Sequence, residues 1–286
     1  MKIQTLRDIR LCLSGELRGL YPEEEINSLA SIIIKTLPGI KKLHQIYNSG
    51  QVISSNESER IKSIISQLKK GIPIQYITGT TVFFNYVIKV NKATLIPRQE
   101  TEELVDIIIR ENKDFSGRII DFGTGSGCIA IALAKNLPGS TVIGTDISEE
   151  ALVVARENAL ENEVEVDFLQ DDIFYPDRML EVKTGIIVSN PPYIRISEKA
   201  FMNRNVLEHE PAIALFVNDS EPLIYYRAIL RIAEKILQPG GKIYFEINEA
   251  LGREMLDLLE EFNYAGCKLI RDLNGRDRII EGKRNG

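Results

Sequence analysis

Ser189-Asn190-Pro191-Pro192-Tyr193 follows directly on an apolar run, Gly185-Ile186-Ile187-Val188. A short β-branched run bounded by turn formers predicts a strand buried on both faces, the kind found inside parallel sheets. Ligands of open α/β sheets sit just beyond the carboxyl ends of such strands, where Asn190 falls. Pro191 and Pro192 fix φ and remove backbone N–H donors. The carbonyls of Asn190 and Pro191 are then left without local turn partners, beside an amide side chain and the ring of Tyr193. Such a cradle suits a flat group that carries an –NH2. Taken alone, Asn-Pro-Pro-Tyr is equally a plain turn, and the stretch upstream is what favours chemistry.

That stretch is Asp121-Phe122-Gly123-Thr124-Gly125-Ser126-Gly127, between a strand pattern and a helix pattern. Glycines let backbone approach a ligand closely, and a helix N-terminus offers free N–H groups. The spacing is G-x-G-x-G, not the G-x-G-x-x-G of dinucleotide folds, which argues against a nicotinamide cofactor. Asp146 ends the next strand, about 20 residues on, where an acid can accept both hydroxyls of a ribose. Its alternative is a helix-cap acid. Asp172 follows the third strand and can accept from an adenine amino group while Ile173 packs on the ring; the alternative is an ordinary surface acid. Glu246 ends a fifth strand and either faces the site or caps the helix after it, the structural role being the one we adopt.

These residues need an alternating frame, and the chain supplies one from Arg118 onward. Strand patterns at 119–122, 141–145, 164–169, 184–189 and 241–247 alternate with helix patterns at 128–135, 148–159, 222–237 and 249–262. Lys268-Leu269-Ile270-Arg271 and Arg278-Ile279-Ile280 flank Asn274-Gly275, a hairpin turn, so a mostly parallel sheet should end in an antiparallel pair. Upstream, Thr101 is a candidate N-cap for a helix with Leu104, Val105, Ile108 and Ile109 as its buried stripe. Residues 75–90 read as a hairpin linking two domains. Before it, Leu6, Ile9, Leu13 and Leu17, then Ile26, Leu29, Ile33 and Leu37, repeat at helical spacing. Pro38-Gly39 stops the second helix, and Ser55 starts a third through Ile61, Ile64, Ile65 and Leu68. This bundle holds no constellation of acids, bases or nucleophiles; it is either a packing appendage or a docking domain for a partner.

The 286 residues are 44% hydrophobic and 27% charged, enough for a real core. A formal charge of −6 provides no global basic field for phosphate backbones. Cys12, Cys128 and Cys267 are far apart, and with His44 and His209 as the only histidines a zinc site is not expected. The cysteines read as reduced packing residues. No stretch approaches membrane-spanning length and the N-terminus lacks an apolar leader, so a cytoplasmic location is expected. His209 reads as a lone loop histidine without a catalytic role. Arg276, Asp277 and Arg278 read as a surface ion-pair cluster, and residues 208–211 as part of a substrate-shaping loop; Arg98 and Thr101 can line the cleft, though helix capping explains Thr101 equally well.

Taken in series, the glycine loop, Asp146, Asp172 and Asn-Pro-Pro-Tyr follow successive strands, an order that resembles the class I S-adenosylmethionine-dependent methyltransferases. The resemblance narrows at Gly71-Ile-Pro-Ile-Gln-Tyr76-Ile-Thr-Gly79, Ile96-Pro-Arg-Gln-Glu-Thr-Glu102, Glu210-Pro211-Ala-Ile-Ala-Leu215 and Asn274-Gly-Arg-Asp-Arg278, which look like the PrmC/HemK family. It implies a Rossmann-like α/β sheet, mostly parallel with one antiparallel strand, preceded by a small helical bundle. The implied divisions are 1–72 for a substrate-docking bundle, 73–98 for a linking hairpin and 99–286 for the methyltransferase domain. The implied activity moves a methyl from S-adenosylmethionine to the glutamine amide nitrogen of the Gly-Gly-Gln motif in peptide-chain release factors, leaving S-adenosylhomocysteine and using no metal. The implied catalytic residues are Asn190, Pro191, Pro192 and Tyr193. The implied cofactor set is Gly123, Thr124, Gly125, Ser126, Gly127, Asp146, Asp172, Ile173 and Asn190. Ile173 stands where an aromatic is often seen, and Asn248 where a glycine is usual. Neither nucleic acid nor membrane is expected as a partner. The competing readings are an N-methyltransferase acting on exocyclic amines of nucleic-acid bases, which would have to extrude its base, and a module that holds an adenosine ligand without chemistry.

Overall fold

Capping and apolar spacing start the N-terminal helices. The computed structural model describes residues 3–38 and 51–286, so Gly39 and His44 lie outside the described residues. Helix α1 (Leu6–Leu17) begins with Thr5 and Asp8 satisfying each other's backbone N–H groups. Helix α2 (Glu23–Lys35) places three glutamates in its first turn, where the helix dipole favours them. Helix α3 (Ser55–Leu68) is capped by Ser54 with Glu57, one residue earlier than the expected Ser55. Their stripes meet in one cluster that includes Ile9, Leu13, Ile33, Ile61 and Leu68. Residues 75–78 are not strand. Pro73 sets the entry of a short helix α4 (Ile74–Thr78), which stops at Gly79 with φ +78°.

The expected hairpin is confined to β1 (Thr80–Phe83) and β2 (Tyr86–Lys89), antiparallel and joined through Phe84 and Asn85 at φ +49° and +67°. Helix α5 (Gln99–Glu111) is preceded by Arg98 rather than Thr101 as N-cap, with Leu104, Val105 and Ile108 buried. Then come β3 (Arg118–Phe122), α6 (Cys128–Asn136), β4 (Thr141–Asp146), α7 (Glu149–Glu161), β5 (Asp167–Gln170) and β6 (Thr184–Ser189). The third strand is shorter than its apolar run, because Glu163 takes φ +54° and the chain enters the sheet only at Asp167. After β7 (Ile194–Arg195), α8 (Arg204–His209) and β8 (Phe216–Val217) come α9 (Ile224–Ile236), β9 (Leu237–Glu246), α10 (Gly252–Glu261), β10 (Tyr264–Arg271) and β11 (Asp277–Arg284). The chain between β9 and α10 opens with a 3-10 turn, Glu249–Leu251, capped by Asn248.

By contact the chain divides into Met1–Gly79 with Arg204–His209, and Thr80–Asn203 with Glu210–Gly286. His209 therefore sits on a helix, half-buried, not in an exposed loop. In the larger unit the seven-stranded sheet runs β10-β11-β9-β6-β3-β4-β5. Strands β9, β6, β3, β4 and β5 are parallel, β11 pairs antiparallel with β9, and β10 pairs antiparallel with β11. The chain moves outward from β3 to β4 and β5, then returns to the other side of β3 with β6. That reversal opens a crevice at the carboxyl ends of β3 and β6. The core beneath it contains Ile120, Phe122, Ile187, Tyr226, Phe245 and Met255, all nearly inaccessible to solvent. Among the described residues, no helix is long and apolar enough to cross a membrane.

Candidate active site

Parallel register brings the chemistry-bearing strand ends level. Phe122 pairs with Ser189 and with Thr145, while Ser189 pairs with Phe245. Gly123, Asp146, Asn190 and Glu246 thus leave neighbouring strands one residue later, at strand spacings of about 4.8 Å. Ser189 Oγ donates to the Phe122 carbonyl at 2.6 Å and locks β6 to β3 just below them.

Gly123, Gly125 and Gly127 have φ of +71°, +54° and +79°, which only glycine adopts without strain. A Cβ at Gly123 or Gly125 would meet nothing within 4 Å, so this backbone faces open space. At Gly127 it would meet Ala155 and Phe168 at 3.1 Å, because the loop packs there against its own sheet and helix. Thr124 N donates to the Thr145 carbonyl at 2.8 Å, and Thr124 Oγ1 donates to Asp121 Oδ2 at 2.6 Å. Asp121 is fully buried. Burial pushes its carboxyl up to about 7 against the opposing Thr124 hydrogen bond, and Asp146 adds repulsion. Ser126 is buried, and its carbonyl accepts from Asn158 Nδ2 at 2.9 Å.

Asp146 Oδ2 accepts from Gly125 N and Oδ1 from Ser148 N, each at 2.9 Å. One carboxylate thereby braces both the glycine loop and the start of α7. Each oxygen keeps a second acceptor site for a hydroxyl, so the bracing and ribose-binding roles are compatible. Asp172 Oδ1 accepts from Phe174 N at 2.8 Å. The neighbouring Asp171 takes N–H bonds from Asp172, Asp177 and Met179 and shapes the turn. Ile173 packs against the core and lines a cavity of about 480 Å³ with Phe174, Pro176, Leu180 and Ala228; neither Asp172 nor the glycine loop lines it. Open glycine backbone and an acid at the adjacent strand end together fit an adenosine-bearing cofactor.

Asn190 is half-buried, and its Nδ2 donates to Thr101 Oγ1 at 3.1 Å. Thr101 Oγ1 donates in turn to Glu246 Oε2 at 2.6 Å, and the Tyr193 hydroxyl donates to Glu246 Oε1 at 2.9 Å. Glu246 is 1% exposed and caps no helix, contrary to the structural role expected from its position. Burial raises its carboxyl pKa, while the Thr101 and Tyr193 donors and the Arg278 charge lower it. Burial and the nearby Glu246 carboxylate drive the Tyr193 phenol well above its ordinary range. Asn248 Nδ2 reaches the Tyr193 carbonyl at 3.2 Å and Glu198 Oε2 at 2.9 Å, so the residue standing where glycine was expected holds the segment after the motif.

Arg278, expected at the surface, has a side chain only 12% exposed, paired with Asp272 and donating to the Ile247 carbonyl at 3.2 Å. Arg276 and Asp277 do form exposed ion pairs, with Glu249 and Arg271. Glu210 is buried and accepts from Arg98 Nη2 at 2.5 Å and from Ile96 N at 3.2 Å, tying down the approach to α5. Sequence reasoning leaves Thr101 open between lining the cleft and capping a helix, and gives Asp121 no role of its own. A threonine within a helix and an acid ending a strand carry no local mark of the partner each will meet.

The chain is also similar to known proteins along most of its length. Residues 13–79 match the family model described as PrmC N-terminal domain, and residues 100–211 the one described as Methyltransferase small domain. A release factor glutamine methyltransferase of Bacteroides thetaiotaomicron is 44% identical over 268 residues, covering 94% of this chain and 96% of that protein. One of Flavobacterium psychrophilum is 43% identical over 280 residues, covering 96% and 98%. The crystal structure of a methyltransferase from Pyrococcus furiosus superposes with a TM-score of 0.52 at 17% identity, covering 82% of this chain and all of that one, and shows the shared fold. With identity of this order across nearly its whole length, the chain belongs to the release factor glutamine methyltransferase family.

Proposed function

We propose that this protein transfers a methyl group from S-adenosylmethionine to the side-chain amide nitrogen of the glutamine in the Gly-Gly-Gln motif of peptide-chain release factors. The observation that carries the reading is the Asn190 carboxamide, held at the tip of β6 by Thr101 beside the open glycine loop of β3. The names of the relatives supply the substrate class. Gly123, Thr124, Gly125, Ser126 and Gly127 would hold the cofactor with Asp146 on its ribose, Asp172 and Ile173 at its adenine, and Asn190 beside the reacting end. The cofactor supplies a methyl bonded to a positively charged sulfur, which keeps the bonding electron pair when the methyl leaves.

An amide nitrogen is a poor nucleophile because its lone pair is delocalised into the carbonyl. Two acceptors can correct this. Asn190 Oδ1 and the Pro191 carbonyl accept the two N–H groups of the substrate amide, turn its nitrogen toward the methyl and favour positive charge developing there. Pro192 and Pro191 keep the carbonyls from internal turn bonds, and Tyr193 packs beside the amide plane. The new C–N bond forms as the sulfur–carbon bond breaks, and the nitrogen then loses one proton to water. Orientation of this kind accounts for about 7–11 kcal/mol of barrier in well-positioned systems.

Intact-mass analysis of a purified release factor, incubated with enzyme and S-adenosylmethionine, tests the reading. One methyl should appear, on the Gly-Gly-Gln glutamine, and Asn190→Ala should abolish it while cofactor affinity stays within about threefold, because the residue orients more than it binds. Labelled methyl on DNA or RNA in place of the release factor would support base methylation instead.

A further inference from the structure

A carboxamide pivoted on its terminal bond presents either an acceptor or a donor, and the two choices have opposite consequences at Asn190. With Oδ1 toward the substrate, the –NH2 of a glutamine finds an acceptor. With Nδ2 in that place, two sets of N–H groups face each other. The motif itself does not choose, since its prolines fix only the backbone.

The choice is made by residues far away in the chain. Glu246 is a buried carboxylate, so its oxygens need donors. The Thr101 hydroxyl has one proton, directed at Glu246 Oε2 in a short bond of 2.6 Å. Thr101 Oγ1 is left with lone pairs alone toward Asn190. It therefore receives Nδ2–H at 3.1 Å, and Oδ1 is turned the other way. Among the described residues nothing in the chain donates to that Oδ1. The same carboxylate takes the Tyr193 hydroxyl through Oε1, so one acid fixes both ends of the motif. Tyr226 OH donates to the Glu246 carbonyl at 2.9 Å and holds the backbone of the acid itself.

We propose that Glu246, acting through Thr101, is the positioning residue that sets the polarity of the Asn190 carboxamide and thereby makes the motif an acceptor of an amide –NH2. The inference rests on the transferase reading above and identifies what makes that site selective for a donor group. Removing the Thr101 hydroxyl leaves Asn190 free to pivot; exchanging the carboxylate for an amide lets the hydroxyl turn and donate to Oδ1.

The test compares Thr101→Val, Thr101→Ser and Glu246→Gln in the full-length enzyme, with a Gly-Gly-Gln release factor and S-adenosylmethionine as substrates. Thr101→Val and Glu246→Gln should each lower kcat by about 100-fold, the scale of a misplaced reacting group, with KM for the release factor and cofactor Kd within about threefold. Thr101→Ser restores the hydroxyl and should recover kcat to within about threefold of wild type. A residue needed only for folding would instead lower the melting temperature and active fraction without separating Ser from Val. If Thr101→Val does not fold, Thr101→Ala takes its place in the comparison with Ser. Wild-type kcat in the hydroxyl-free variant or in Glu246→Gln, or a Ser variant as impaired as Val, overturns the relay. Absence of methyl transfer by the wild-type enzyme is a different outcome and overturns the transferase reading itself.

Discussion

At the scale of single residues, the site combines buried acids that have different environments and different uses. Asp121 has its carboxyl pushed up to about 7 by burial, so the folded protein retains a proton that the unfolded chain gives up near pH 4. Between those values the unfolded state binds fewer protons, and stability falls as pH rises. Asp121→Asn removes that dependence. Its melting temperature relative to wild type should rise from pH 5 to pH 8, by an amount on the order of 1–3 kcal/mol in stability, measured by thermal unfolding in matched buffers. An advantage that does not change with pH would show that the acid is ionised throughout. Asp146 braces the Gly125 and Ser148 N–H groups at the carboxyl end of β4. Asp146→Ala should weaken S-adenosylmethionine binding by at least about tenfold and cost about 1–3 kcal/mol of stability, because two partly buried N–H groups lose their acceptor. Calorimetric titration and denaturant unfolding separate the two effects.

At the scale of elements, the glycine loop depends on parts remote from the sheet. Asn158 of α7 is fully buried and accepts from Lys89 N at 2.7 Å. Its Nδ2 donates to the carbonyls of Lys89 and Ser126 at 3.0 and 2.9 Å. One amide thus couples the β1–β2 hairpin, helix α7 and the loop after β3. Asn158→Ala should destabilise the protein by about 2–4 kcal/mol, as several buried backbone groups lose partners together. Hydrogen exchange should quicken in the hairpin and the glycine loop but not in β9 or β11. Uniform quickening would instead mean that Asn158 supports the fold as a whole. The elements were largely legible in advance because their signals are local: alternation for strands, three-to-four spacing for helices. Residues 75–78 were misread as strand because their β-rich composition outweighed the Pro73 start signal.

At the scale of the whole molecule, every residue of the proposed cofactor set lies in the unit made of Thr80–Asn203 and Glu210–Gly286. Ligand binding stabilises what it binds. S-adenosylmethionine at 100 times its Kd should add about 2.7 kcal/mol to the stability of that unit. Scanning calorimetry of the full chain should show the cofactor shifting its transition upward, whereas a thermogram unchanged at saturation would argue against the assigned residues. At the same scale, the formal charge of −6 means that the chain carries no net basic field.

The sequence alone determined which residues stand at strand ends and in what order: glycine loop, Asp146, Asp172, Asn-Pro-Pro-Tyr, Glu246. Strand endings follow from short-range patterns, and a turn of prolines or glycines has its conformation written into its residue types. Only the tertiary structure decided which of these side chains meet. Thr101 bonds Asn190 across 89 residues and Glu246 across 145, and Tyr193 reaches Glu246 across 53. Those contacts depend on β9 lying beside β6 with Ser189 level with Phe245 and on α5 packing against β9, since a one-residue slip would turn Glu246 to the opposite face. A carboxylate at a strand end looks the same in sequence whether it caps a helix or governs an amide at the tip of the strand beside it.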